Sequence, residues 1–187
     1  MEVLKLRHTV AIVAVLLALA AAPVRAQAPA APTEYQVKAV FLFNFSQFVD
    51  WPAAAFADGR APLVIGVLGS DPFGATLDEI VRGETVNGRP LAVRRYQSVE
   101  QIDVCHILFI ERSQSERLDA VLAALKGRNV LTVGDFEGFA RRGGMIRFMT
   151  VGNKIRLRIN LAAAQEAKVT ISSKLLRPAE IVAPDAD

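Results

Sequence analysis

Asp135 and Glu137 are the side chains whose type and spacing come closest to a reactive constellation. Two carboxylates held near each other can do general acid–base work, one keeping its proton while the other stays ionised. They lie in the segment Gly134–Gly144, which carries four glycines and two phenylalanines. No His, Ser or Cys stands close by in sequence to complete a catalytic set. The segment therefore reads first as a glycine-permitted loop that packs Phe136 or Phe139. A ligand or partner site using Asp135, Glu137 and Phe139 is the second reading, and a hydrolase built on the carboxylate pair is the third.

Other reactive groups are few. Cys105 is the only cysteine, so no internal disulfide can form. His106 follows it and opens the apolar stretch Ile107–Ile110. Both read as residues of a buried strand. A zinc site normally needs more than one imidazole or thiolate, so no metal and no cofactor is expected. Gly66, Gly69 and Gly74 lead from a strand towards a helix without the G-x-G-x-x-G spacing of a dinucleotide loop. They read as a tight turn.

The arginines carry more information. Met145–Thr150 and Lys154–Asn160 alternate in polarity around Gly152-Asn153, a hairpin signal. A two-residue turn sets Thr150 opposite Ile155, Phe148 opposite Leu157 and Ile146 opposite Ile159, all suited to a core. The other face then carries Arg147 opposite Arg158 and Met149 opposite Arg156. Like charges directly opposite are unfavourable. Solvent or an internal acid such as Glu166 would relieve them, or an acidic partner surface would. Arg147, Arg156 and Arg158 are therefore candidate partner-binding residues. Phe43 and Trp51 join them, Phe43 because it points away from the expected apolar arc of its helix. Asn44 falls inside that arc and is expected to be buried and hydrogen-bonded.

The elements that position these residues alternate. A helix is expected over Tyr35–Trp51, ended by Pro52. Strands follow at Leu63–Gly69, Leu91–Tyr96, Cys105–Ile110 and Val130–Val133. Helices are expected from Asp71-Pro72 to Val81, with Asp71 as N-cap, and over Ser115–Lys126. The apolar strands suit a sheet covered on both faces, and the alternation implies a parallel sheet. Leu161–Lys168 and Ser172–Val182 close the chain as helices, the last one kinked or shortened by Pro178. The fold class is α/β, a three-layer, mostly parallel Rossmann-like sheet flanked by helices, with an antiparallel β-hairpin at one edge.

The chain has 187 residues. Lys5 and Arg7 precede an unbroken apolar run from Thr9 to Ala22, and Val24-Arg25-Ala26 follows. That is the pattern of a secretory signal peptide cleaved after Ala26; the run is shorter than the roughly 20 residues of a spanning helix. Residues 27–34 read as a disordered Pro/Ala linker and 35–183 as one domain. Losing Lys5, Arg7, Arg25 and Glu2 takes the formal charge from +3 to +1. No nucleic-acid footprint is expected from so balanced a chain.

The run Ala39–Pro52 resembles the N-terminal helix of YfiR-like periplasmic proteins. Ile65–Gly74, Cys105–Ile110, Leu131–Asp135, Gly138-Phe139, Gly143–Ile146, Ile159-Asn160 and Ile171–Leu176 resemble that family in the same order. The resemblance implies a periplasmic regulator that represses an inner-membrane diguanylate cyclase through its periplasmic domain, lowering cyclic di-GMP and biofilm formation. It also implies an outer-membrane peptidoglycan-associated lipoprotein as a competing partner, and it leaves a homodimer open. Relatives that use disulfides differ from this chain, in which Cys105 has no partner. The alternative reading is a periplasmic small-ligand-binding protein with its site in the loop after the fourth strand.

Overall fold

The structure, a computed structural model, describes residues 32–152 and 154–182. The expected signal peptide and residues 27–31 of the expected linker lie outside the described residues. Among those described, no helix is long and apolar enough to cross a membrane.

The elements run α1 (Glu34–Phe48), β1 (Val49–Asp50), β2 (Leu63–Leu68), α2 (Ala75–Val81), β3 (Thr85–Val86), β4 (Arg89–Tyr96), β5 (Ile107–Ile110), α3 (Leu118–Ala124), β6 (Leu131–Gly134), β7 (Ile146–Val151), β8 (Lys154–Ile159), α4 (Leu161–Glu166), β9 (Thr170–Ile171), α5 (Ser173–Leu176) and β10 (Glu180–Ile181). Eight strands form one sheet in the order β10-β8-β7-β6-β5-β2-β4-β3, and β1 pairs with β9 in a separate two-stranded ribbon. The central strands β4, β2, β5, β6 and β7 are all parallel.

Two cores flank the sheet and make three layers. The larger gathers Leu42, Phe45, Ile65, Phe109, Val133 and Phe148 beneath α1. The smaller gathers Leu68, Leu108, Ile110, Leu118, Phe136 and Phe139 on the opposite face. Parallel strands buried on both faces need no alternation, which is why β2 and β5 are unbroken apolar runs.

Several boundaries differ from the sequence reading. Thr33 and Glu34 are not linker: Thr33 caps α1 in a reciprocal box with Gln36. The helix stops at Phe48, because Val49-Asp50 becomes extended to pair with Ile171-Thr170. Its buried face is Lys38, Ala39, Leu42, Phe45 and Ser46, rotated from the arc expected. Val40 is consequently exposed, and Asn44 and Phe43 are both half-buried. Asp71 does not cap α2; it accepts the Phe73 N–H in a turn, and the helix begins at Ala75. The expected last helix ends at Leu176, and Pro178 separates it from β10.

The hairpin has the expected register, Ile146 to Ile159 through Val151 to Lys154. It lies at one side of the sheet, with the two residues of β10 added outside β8. Its position along the strands leaves part of it uncovered. Ile146 stands beside Val133 and Arg147 beside Gly134, where β6 ends. Phe148–Val151 and their partners therefore run on past the carboxyl ends of the central strands as an overhanging ribbon. Phe148 anchors its inner face, stacked on Phe45 at 5.7 Å and edge-on to Phe41 at 5.8 Å.

Candidate functional site

Open parallel sheets commonly take ligands beyond the carboxyl ends of their strands, where the strand order reverses. Here that point lies between β2 and β5. It is closed: a Cβ on Gly69 would stand 2.8 Å from Ser113 Oγ, so the loop after β5 packs directly on the loop after β2. The chemistry lies one strand further along, at the end of β6.

Asp135 follows β6 and turns under the first turn of α1. Its Oδ2 accepts from Lys38 Nζ at 2.6 Å and from the Tyr35 hydroxyl at 3.0 Å. Lys38 also pairs with Glu34 at 2.6 Å, one helical turn away. The Lys38 and Asp135 side chains are only 3% and 5% exposed. Tyr35 is held neutral, its phenol pushed up to about 12 by burial first and then by the Asp135 charge. Its ring lies edge-on to Phe73, which lies edge-on to Phe109. The group ties α1 to the sheet, and Lys38 is fully engaged by two carboxylates.

The expected carboxylate pair is therefore not a pair in space. Asp135 is enclosed, whereas Glu137 is exposed and its charge is felt by Arg147 on the other side of the sheet. Phe139 is fully buried between Gly134 and Gly144, where a Cβ on either glycine would overlap its ring. Phe136 packs edge-on to it at 5.2 Å. Asn160 closes the loop from beneath, donating to Ala140 O and accepting the Ala163 N–H as the cap of α4. The loop after the fourth expected strand is thus filled by its own aromatics, and Phe139 offers no surface to a partner.

Trp51 is also committed inward, its Nε1 donating to His106 O at 3.2 Å. Phe43 packs on the larger core. His106 is a structural centre. The Val64 N–H donates to Nδ1 at 3.0 Å, and Nε2 lies 3.1 Å from Ala55 O, which fixes the neutral ring with its proton on Nε2. Phe56 stacks on it at 4.4 Å. Burial lowers its proton affinity below the ordinary value of 6.5. Unfolding then takes up a proton below that pH, so the stability His106 contributes is present above about pH 6.5 and lost as the pH falls. Urea midpoints should decline as the pH falls below about 6.5, ahead of carboxylate titration, and a His106→Gln chain should lose that slope. Cys105 is buried with its thiol pushed up to about 12, which leaves it unreactive.

Three candidates remain at the surface together: Arg147, Arg156 and Arg158. The registers place Gly134, Arg147, Arg158 and Glu180 in one row across β6, β7, β8 and β10. Arg158 finds Glu180 at 2.9 Å, not the expected Glu166, which pairs instead with Lys126. Arg147 has no ion-pair partner among the described residues. Burial, and next the Arg158 charge, hold its guanidinium below the usual arginine value. The Nε atoms of Arg147 and Arg158 are both buried without a hydrogen-bond partner among the described residues.

A separate cleft of about 350 Å³ opens between α3 and α4, floored by Val130, Thr132 and Met145. The described residues hold no cluster of His, Cys, Asp and Glu suited to a metal ion.

Sequence reasoning missed Lys38 and Tyr35. The available signal was the Glu34–Lys38 spacing, together with a lysine in phase with Leu42, Phe45 and Val49 on an apolar stripe. Residues 35–180 match a family model described as YfiR/HmsC-like. No curated protein matches the chain.

Proposed function

Because the chain belongs to the YfiR/HmsC-like family, we propose that it is a periplasmic repressor that holds an inner-membrane diguanylate cyclase in its off state by binding the cyclase's periplasmic domain. The family match over residues 35–180 carries this reading. The closed carboxyl edge of the sheet supports a binding role over a catalytic one, since the buried acid and base are already spent on each other. The signal-like N-terminus supports the compartment. A peptidoglycan-associated lipoprotein of the outer membrane is the competing partner that would release the cyclase. Repression by occupancy requires unequal affinity for the two cyclase states. Moving the receptor from almost fully on to almost fully off takes a ratio of about 10⁴.

Deleting the gene should raise cyclic di-GMP and surface attachment in cells that express the cyclase, and re-expression should reverse both. The secreted protein should begin at Gln27 by intact mass. Unchanged cyclic di-GMP in the deletion, with the cyclase present, would refute repression. The cleft between α3 and α4 favours a second reading, a small-ligand-binding protein. A ligand that raises the melting temperature, with no effect of deletion on cyclic di-GMP, would point there.

A further inference from the structure

We infer that the outer face of the overhanging β7–β8 hairpin is a docking surface for a partner protein that presents an acidic segment. The inference deepens the repressor reading and rests on it only for who the partner is. Three observations meet on this face.

The first is charge. Arg147, Arg156, Arg158 and Lys154 lie on one side of the ribbon by register. Glu180 answers one of them, by its bond to Arg158. Arg112 and Arg141 add to the positive field around Arg147, and Glu137 opposes it. The second is poor local satisfaction. Arg147 is half-buried beside a like charge, and two guanidinium Nε atoms are buried without acceptors among the described residues. Burying a charge is unfavourable unless it is paired, and cross-strand like charges repel. An isolated domain would be better served by neutral residues here. The third is the uncovered sheet. No central strand flanks the overhang, and Met149 and Val151 stand between the cations, Val151 at 59% exposure. Carboxylates with an apolar side chain among them match this pattern, since guanidinium groups take carboxylates in bidentate pairs.

The experiment places a photocrosslinking residue at Met149 of the full chain in living cells. A single membrane protein should be captured there, and capture should fall about tenfold or more in Arg147→Met and Arg158→Glu chains, a loss typical of truncated interfacial charge pairs. Capture should also weaken as salt rises. The Arg147→Met protein should melt at or above the parent temperature, because it sheds a desolvated, repelled charge. A merely structural arginine would instead lower it. Capture that survives both substitutions overturns the inference, as does the absence of any crosslink at Met149. Binding of purified protein to phosphatidylglycerol vesicles that Arg147→Met abolishes, without a protein crosslink, overturns it in favour of a lipid surface. A captured protein that is not a cyclase, still lost with Arg147→Met, upholds the docking face and overturns the repressor reading.

Discussion

Exchanging Lys38 for methionine should destabilise the domain by about 3–5 kcal/mol, the range expected when one partner of a buried ion pair is removed. The Lys38 side chain is almost fully enclosed, and Asp135 beside it is equally dry. Without the ammonium, Asp135 keeps only the Tyr35 hydroxyl, and a buried carboxylate is left uncompensated. The cost comes from the stranded partner, so it should shrink when the partner goes too. A Lys38→Met, Asp135→Asn chain retains an acceptor for Tyr35 and has no buried charge at this point. It should recover most of the loss. Urea unfolding of the two single variants and the double one forms a complete cycle. A Lys38→Met cost below about 1 kcal/mol, the scale of an exposed pair, would mean that the lysine is hydrated and the tie is loose.

Phe139→Ala should be comparably severe, at about 3–5 kcal/mol, as for other enclosed aromatic rings. At about 2–4 °C per kcal/mol for a domain of this size, the melting temperature should fall by about 10 °C. Two glycines stand directly against the ring, one toward each of its edges, so the environment is matched to it on both sides. Gly144→Ala should also be strongly destabilising in the parent chain, because its methyl would occupy the space of the ring. In the Phe139→Ala background the same methyl enters a cavity, and the added cost should largely vanish. Strict additivity of the two substitutions would show that the ring moves aside easily and that the loop is softer than its packing indicates.

The strands are legible in the sequence because burial on both faces writes an unbroken apolar run, as in Ile107–Ile110. The hairpin is legible to the residue because alternation and a turn pair fix a register, and a slip of one would turn Phe148 and Leu157 outward. The limits of α1 are not. Apolar residues crowd it on several sides, so periodicity alone leaves its phase ambiguous, and Asn44 lies shallower than that periodicity implies. Its C-terminal end depends on Thr170-Ile171, a pairing that no local pattern encodes.

The candidate site shows the same division. Arg147 opposite Arg158 can be read from the hairpin alone, since both lie within one short stretch. Asp135 can be singled out, but not its fate. Its partner Lys38 lies 97 residues earlier and Tyr35 100 residues earlier. Phe139 is visible as an aromatic in a glycine-rich loop. That the glycines at 134 and 144 exist to seat it is a statement about three dimensions.

The pairing of β1 with β9 has a bearing on how the chain is finished. Val49 meets Ile171, Asp50 meets Thr170, and the Ser172 N–H donates to Phe48 O. The first helix is thus latched by a segment far along the chain from it. A polypeptide delivered N-terminus first leaves the extended end of that helix without its pairing partner until Thr170-Ile171 arrives, and the entropy of closing so long a loop falls late in folding. The interval before the latch closes is the period in which a holding chaperone has a target and a protease has access.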